Sequence, residues 1–207
     1  MSIETGEYKS TVGFDSIYYA LVTVDSAATY TAGIPKWLAP AAEGSQEPAT
    51  SMDTQYADDQ PYDNAFSEGA TKINLTITGI PLITLAEITG NVFDVVNGLM
   101  YDGAGVPPDC ALLFRSKKKN GHYKYFAYLK GNFEKPKEAH KTNADKTEFQ
   151  TIQLIFTALR TVHKFTQSDL KTESMLRVVG DEDIPEFDGS DWFDQVTVPP
   201  DVPGTSV

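Results

Sequence analysis

Cysteine is almost absent from this 207-residue chain. Cys110 stands alone, so no intrachain disulfide can form, which fits folding in a reducing compartment. Basic residues are scarce too. Seventeen Lys and Arg face 29 Asp and Glu, for a formal net charge of −12. That balance argues against a protein that grips nucleic acid through a broad basic surface, since phosphate neutralisation supplies most of such affinity. No apolar run approaches the roughly 18 residues that a membrane-spanning helix needs. The opening Met1-Ser2-Ile3-Glu4 lacks the basic and apolar regions of a signal peptide. The expectation is a soluble, non-secreted protein with no membrane partner.

The familiar motifs of chemistry are missing as well. There is no phosphate-cradling G-x-x-x-x-G-K loop, no dinucleotide G-x-G-x-x-G turn and no G-x-S-x-G nucleophile elbow. His122, His140 and His163 lie far from one another and from Cys110, without metal-ligand spacing. Asp58, Asp59 and Asp63 lack the order of a calcium loop, and adjacent aspartates on an extended chain point to opposite faces. They read as a solvated or interface loop. Lys117, Lys118 and Lys119 read as a solubilising turn rather than a phosphate contact. The expectation is no catalytic residue, no metal, no cofactor and no enzyme activity.

What the chain does have is strand-forming material. Aromatics reach 11%, Val, Ile and Thr are abundant, and 41% hydrophobic content excludes collagen-like and wholly disordered classes. One domain of this size hides roughly 70% of its unfolded surface, so a single β-rich domain over 13–180 is expected. A polar N-terminal arm, 1–12, would precede it, and an acidic, Pro-containing C-terminal extension, 181–207, would follow. Neither end carries an apolar periodicity to fix it on the core, so both are expected to be mobile in the free protein. Charge is segregated along the chain: residues 1–110 carry 3 basic and 15 acidic groups, and residues 111–150 carry 10 and 4. Opposite-signed blocks suit self-association through complementary faces.

Patterning places the elements. Residues 14–24 read as a long strand and 30–38 as a short one, interrupted at Gly33 and Pro35. Short strands are expected over 45–54 and an exposed loop over 55–69, where turn formers crowd. Ile73, Leu75 and Ile77 alternate with Lys72, Asn74, Thr76 and Thr78, the signature of a half-buried strand. Residues 81–90 read as a short helix, with Pro81 in its first turn, Leu82, Leu85 and Ile88 on one face and Gly90 at its end. Residues 97–109 read as a loop. Segments 111–116 and 122–132 make a hairpin around Asn120-Gly121, and 147–160 is a further strand.

Several ordered patterns resemble one family. Val12-Gly13-Phe14-Asp15-Ser16-Ile17-Tyr18-Tyr19-Ala20 is similar to the first strand of major tail proteins of long-tailed bacteriophages, siphophages of Gram-positive hosts in particular. Gln55-Tyr56-Ala57-Asp58-Asp59-Gln60-Pro61-Tyr62 resembles a loop of that family. So do the strand-then-helix order of 73–90, the hairpin carrying Leu113-Phe114-Arg115-Ser116 and Asn120-Gly121, and Phe149-Gln150-Thr151. The likeness runs over about 12–190.

The resemblance implies a tail-tube subunit with a β-sandwich or barrel-like fold and one flanking helix. Six copies would close a ring, and stacked rings would enclose the channel for DNA ejection. Its partners would be other copies of itself, the tape measure, tail terminator and baseplate or distal tail proteins, and duplex DNA passing through without specific binding. It would reside in the virion tail, after assembly in the host cytoplasm. Candidate inter-subunit or inter-ring contacts are Tyr56, Asp58, Asp59, Pro61 and Tyr62, with Lys117, Lys118 and Lys119. The 111–150 block is expected at interfaces facing acidic neighbours, leaving an acidic or neutral lumen. The alternatives are a carbohydrate-binding β-sandwich, using Trp37, Trp192 and tyrosines for stacking, and a tube protein of a contractile or secretion-type machine.

Overall fold

A computed structural model describes residues 10–57, 60–137, 151–167 and 171–199, with the backbone alone described at 51–57 and 61–68. Along the chain come β1 (Thr11–Asp25), β2 (Tyr30–Ala32), β3 (Lys36–Ala39), β4 (Ala41–Ala57), β5 (Gln60–Ile77), α1 (Leu82–Thr89), β6 (Val92–Asp94), β7 (Leu99–Tyr101), β8 (Cys110–Lys118), β9 (Tyr123–Phe133), β10 (Ile152–Leu159), β11 (Lys164–Thr166), β12 (Thr172–Ser174) and β13 (Arg177–Asp181). Nine strands form one antiparallel sheet in the order β2-β1-β8-β9-β10-β5-β4, with β3 also on β1 and β13 also on β9. The pairs β6–β7 and β11–β12 are small separate hairpins. The fold is mainly β with one described helix, as the sequence implies. The sheet curls without closing. Its β1 and β4 margins meet at an open cleft of about 370 Å³ lined by Phe14, Gly44, Ile73 and Phe114.

Strand parity sorts the side chains into two cores. Ile17, Tyr19, Leu112, Phe114, Tyr128, Ile73, Leu75, Ile77, Leu154 and Phe156 fill the larger one, closed by Leu85 and Ile88 of α1. The residues between them on β1, β8 and β9, namely Ala20, Ala111, Leu113, Tyr125 and Ala127, form a second cluster on the opposite face. Phe14 also packs on the larger core although it lies three residues before Ile17. A register shift between Asp15 and Tyr18, with Ser16 at φ 57°, inserts the extra residue that puts both on one side.

Several expectations are met. β2 and β3 are separated at 33–35, Ile73, Leu75 and Ile77 are buried, and the Asn120-Gly121 turn joins β8 to β9 with Gly121 at φ 94°. Others are corrected. The helix buries Leu85, Ala86, Ile88 and Thr89, while Leu82 is half exposed and Pro81 precedes the first turn in an extended conformation. In so short a helix only the C-terminal turn meets the sheet. The expected loop 97–109 contains β7, which the Asp94–Gly98 turn folds back onto β6. The strand expected from 147 is described from Ile152, and 147–150 lie outside the described residues. Thr11 and Val12, assigned to an arm, belong to β1, and Thr11 pairs with Lys118.

The packing of β9 against β10 sets a sharp limit on side-chain size. A Cβ at Gly131 would fall 2.4 Å from the Thr157 carbonyl oxygen and 2.5 Å from the Phe156 ring. Gly131→Ala should therefore destabilise the protein by about 1–3 kcal/mol through overpacking. Urea unfolding should show a lower midpoint at unchanged slope, and a wild-type midpoint would contradict this packing.

Candidate functional site

The residues singled out around Tyr56 lie on a β-arm, not in a loop. β4 and β5 pair in register from Ala41↔Ile77 outward to Ala57↔Gln60. β10 covers β5 only over Thr71–Ile77. Beyond Pro48↔Thr71 the two strands therefore pair only with each other among the described residues, over a reach of roughly 30 Å at strand rise. Tyr56 pairs with Pro61 and Gln55 with Asp63, leaving Tyr62 between them at a register shift. Asp58 and Asp59 lie outside the described residues. This corrects both the short strands over 45–54 and the loop over 55–69. The sequence carries turn-like composition here, where the backbone ladder makes a strand.

The three lysines part company at the β8–β9 turn. Lys119 donates its backbone N–H to the Ser10 carbonyl, and the Lys117 ammonium lies 6.0 Å over the Tyr123 ring. Lys118 is buried, and its ammonium bonds to Asp181 and, at 2.6 Å, to Asp183. Asp183 also accepts from Asn120 Nδ2 at 2.8 Å and meets His122 Nδ1 at 2.6 Å. Lys118, Asn120 and His122 hold its carboxyl down at about 2. Next to it, Glu182 accepts from the Tyr123 N–H and the Tyr125 hydroxyl, both at 2.7 Å. Lys118 is thus an internal anchor rather than part of a solvated turn.

That anchor fastens the C-terminal segment as a strap across the outer face of the sheet. Phe187, Trp192, Phe193 and Val196 pack on Tyr18, Tyr123, Tyr125 and Leu113. Phe193 stacks on Tyr18 with centroids 4.6 Å apart, and Trp192 lies 5.5 Å from Tyr125 and is only 3% exposed. The expectation that nothing fixes 181–207 on the domain's own core is therefore corrected for 181–199. The signal was present in the sequence as six large apolar residues scattered among carboxylates, but they follow no helix or strand period. Burial also removes Trp192 from any carbohydrate-stacking surface, although Trp37 remains 56% exposed.

The charge blocks meet within the chain. Arg115 bonds Asp15 at 2.6 Å, Lys130 reaches Asp25 at 2.8 Å and Asp109 at 3.4 Å, and Lys135 pairs with Asp102. With Lys118, four basic groups of the 111–150 block thus face acidic partners in their own chain. Asp25 is the most enclosed of these partners. Burial raises its pKa, but Lys130 and the N–H groups of Val162 and His163 outweigh that and lower it overall. The Cys110 thiol is buried and pushed up to about 12 by burial and the nearby Asp109, so it stays protonated near neutral pH. Among the described residues no three His, Cys, Asp or Glu side chains converge to hold a metal.

Comparisons with known proteins follow the same geometry. A family model described as phage tail tube protein matches residues 48–196, from the β-arm through to the strap. Among solved structures, the chain is similar to the tube-terminating cap of the anti-feeding prophage, determined by cryo-electron microscopy. The two share 7% identity over 87% of this chain and 99% of that one, with a TM-score of 0.43. No curated protein matches the chain.

The strap anchor is separately measurable. In a Trp37→Phe background, Trp192 is the sole tryptophan reporter. Lys118→Met should shift its emission to the red and open 182–199 to protease, while the main β signal in circular dichroism persists. The pH dependence has a fixed sign. Asp183 has a folded pKa of about 2, below its ordinary 3.8, so its contribution is complete above pH 4 and fades as pH falls toward 2. Trp192 emission unchanged by both Lys118→Met and acid would show that the strap does not depend on this anchor.

Proposed function

The chain belongs to the phage tail tube protein family, and on that premise we propose that it is the major tail tube subunit of a long-tailed phage, six copies closing a ring and rings stacking into the channel through which DNA is ejected. It is a structural component of the virion tail. The sequence resemblance favours the siphophage type of Gram-positive hosts.

The observation that carries the proposal is the β-arm. Two strands paired only with each other are marginal in water, and a long outer edge of unpaired backbone groups invites pairing with another chain. An arm built this way is supported by a neighbour in the assembled state. Tyr56, Asp58, Asp59, Pro61 and Tyr62 at its end are the proposed contact with an adjoining subunit or ring. Tyrosine offers large contact area at small entropic cost. Lys117 and Lys119 are proposed as further contacts at the β8–β9 turn, with Lys118 supporting them from beneath through the strap. No observation favours the carbohydrate-binding reading once Trp192 is buried.

On this reading the work of the protein is a shaped wall, and no bond is made or broken. Pairing of Arg115, Lys118, Lys130 and Lys135 within the subunit supports an acidic or neutral lumen, since those charges are already met by carboxylates. The tape measure would fill that lumen before ejection, and the tail terminator and distal tail proteins would close the two ends.

Excising 57–66 should leave a monomer with wild-type thermal stability that forms no rings or tubes in negative-stain images. Normal tubes from that variant would remove the arm from assembly. Intact wild-type tubes should bind duplex DNA negligibly even at low salt, where any basic groove would bind most strongly. Tight binding that weakens with added salt would overturn the proposed inert channel.

A further inference from the structure

We propose that the corner formed by α1, β6 and β7 is a self-association surface whose partner is a second copy of this chain, with the Val95-Val96 turn as its centre. The choice of partner rests on the tube reading; the surface itself is argued from its own construction. Turns are usually polar, because Asn, Asp, Gly and Ser satisfy their backbones locally. Here the turn displays Val95 at 77% and Val96 at 92% exposure, and Val92, Leu99, Tyr101 and Val106 are exposed beside it. Large apolar groups gathered in this way mark an interaction site.

The display is rigid. Asp94 Oδ1 accepts from the Val96 and Asn97 N–H groups at 2.9 and 3.1 Å, and Oδ2 accepts from Asn97 Nδ2 at 2.7 Å and the Tyr101 hydroxyl at 3.1 Å. The Gly98 N–H closes the turn onto the Asp94 carbonyl at 2.8 Å. One carboxylate thus fixes the backbone and leaves both valines facing out. A preformed surface of this kind loses little entropy on docking.

Charge identifies the partner. No Lys or Arg occurs in 82–109, so the corner lacks what a nucleic acid or an anionic lipid surface would require. Its carboxylates are already engaged: Asp94 as above, Asp102 by Lys135, and Glu87 by Lys36 at 2.5 Å and the Tyr19 hydroxyl at 2.6 Å. Such an apolar surface with satisfied charge matches homo-oligomer interfaces, which are more apolar and poorer in charge than transient ones. Its six exposed apolar side chains supply the apolar centre that a self-complementary interface needs.

The test uses the full-length chain carrying Val95→Asp and Val96→Asp together. Both positions are exposed, so thermal stability should stay at the wild-type value. Self-association by sedimentation should weaken about tenfold or more, and tubes should be lost. If wild-type and variant proteins form tubes equally well, the corner is not the surface and the tube reading stands. If the wild type forms no tubes at all, that reading fails, and a photo-crosslinker in place of Val96 decides the inference alone. Concentration-dependent crosslinked dimers of the purified chain would support it. A crosslinked species confined to the monomer at every concentration, or capture of the corner by anionic vesicles, would overturn it.

Discussion

β1, β8 and β9 carry apolar side chains on both faces, and the rest of the molecule is arranged so that both are covered. On one face Tyr19, Leu112, Phe114 and Tyr128 meet the side chains of β5 and β10 and the last turn of α1. On the other, Tyr18, Leu113, Tyr125 and Ala127 are covered by the strap, which supplies Phe187, Trp192 and Phe193. Irregular backbone does this work because it is held at its base by Lys118, whose ammonium is shared between Asp181 and Asp183. Taking one partner from such an enclosed pair leaves an uncompensated charge, which costs more than the pair gains by forming. The anchor and the aromatic face therefore stand or fall together.

The same economy governs the charge distribution. A chain at −12 with a basic middle segment could leave its positive side chains for partners. The fold instead turns Arg115 toward Asp15, Lys130 toward Asp25 and Lys135 toward Asp102. The first two pairs tie β8 and β9 to β1, and the third ties the segment after β9 to the residue that follows β7. With Lys118, these basic groups are consequently met within the chain rather than left for partners.

Two features are left incompletely satisfied by the monomer, and they differ in kind. Among the described residues, the β-arm leaves backbone groups unpaired along the outer edge of β4. The α1–β6–β7 corner leaves side chains open, apolar and held rigid by Asp94. Backbone pairing tolerates many sequences, whereas apolar packing requires complementary shape.

The sequence by itself determined the elements that touch the core: the alternation of Ile73, Leu75 and Ile77, the helix ended by Gly90, the Asn120-Gly121 hairpin and the long first strand all follow from hydrophobic period and turn chemistry. It also carried the ordered patterns that resemble the family. It could not determine the β-arm, because its turn-like composition has no period to read and backbone pairing sets its strands. The Ser16 bulge was hidden because one inserted residue changes which face Phe14 meets without altering composition. The strap and its ion pairs were hidden for a different reason. Trp192 is buried, and Lys118 meets Asp183, because the topology brings residues more than sixty positions apart onto one sheet face, and that proximity belongs to the tertiary structure alone.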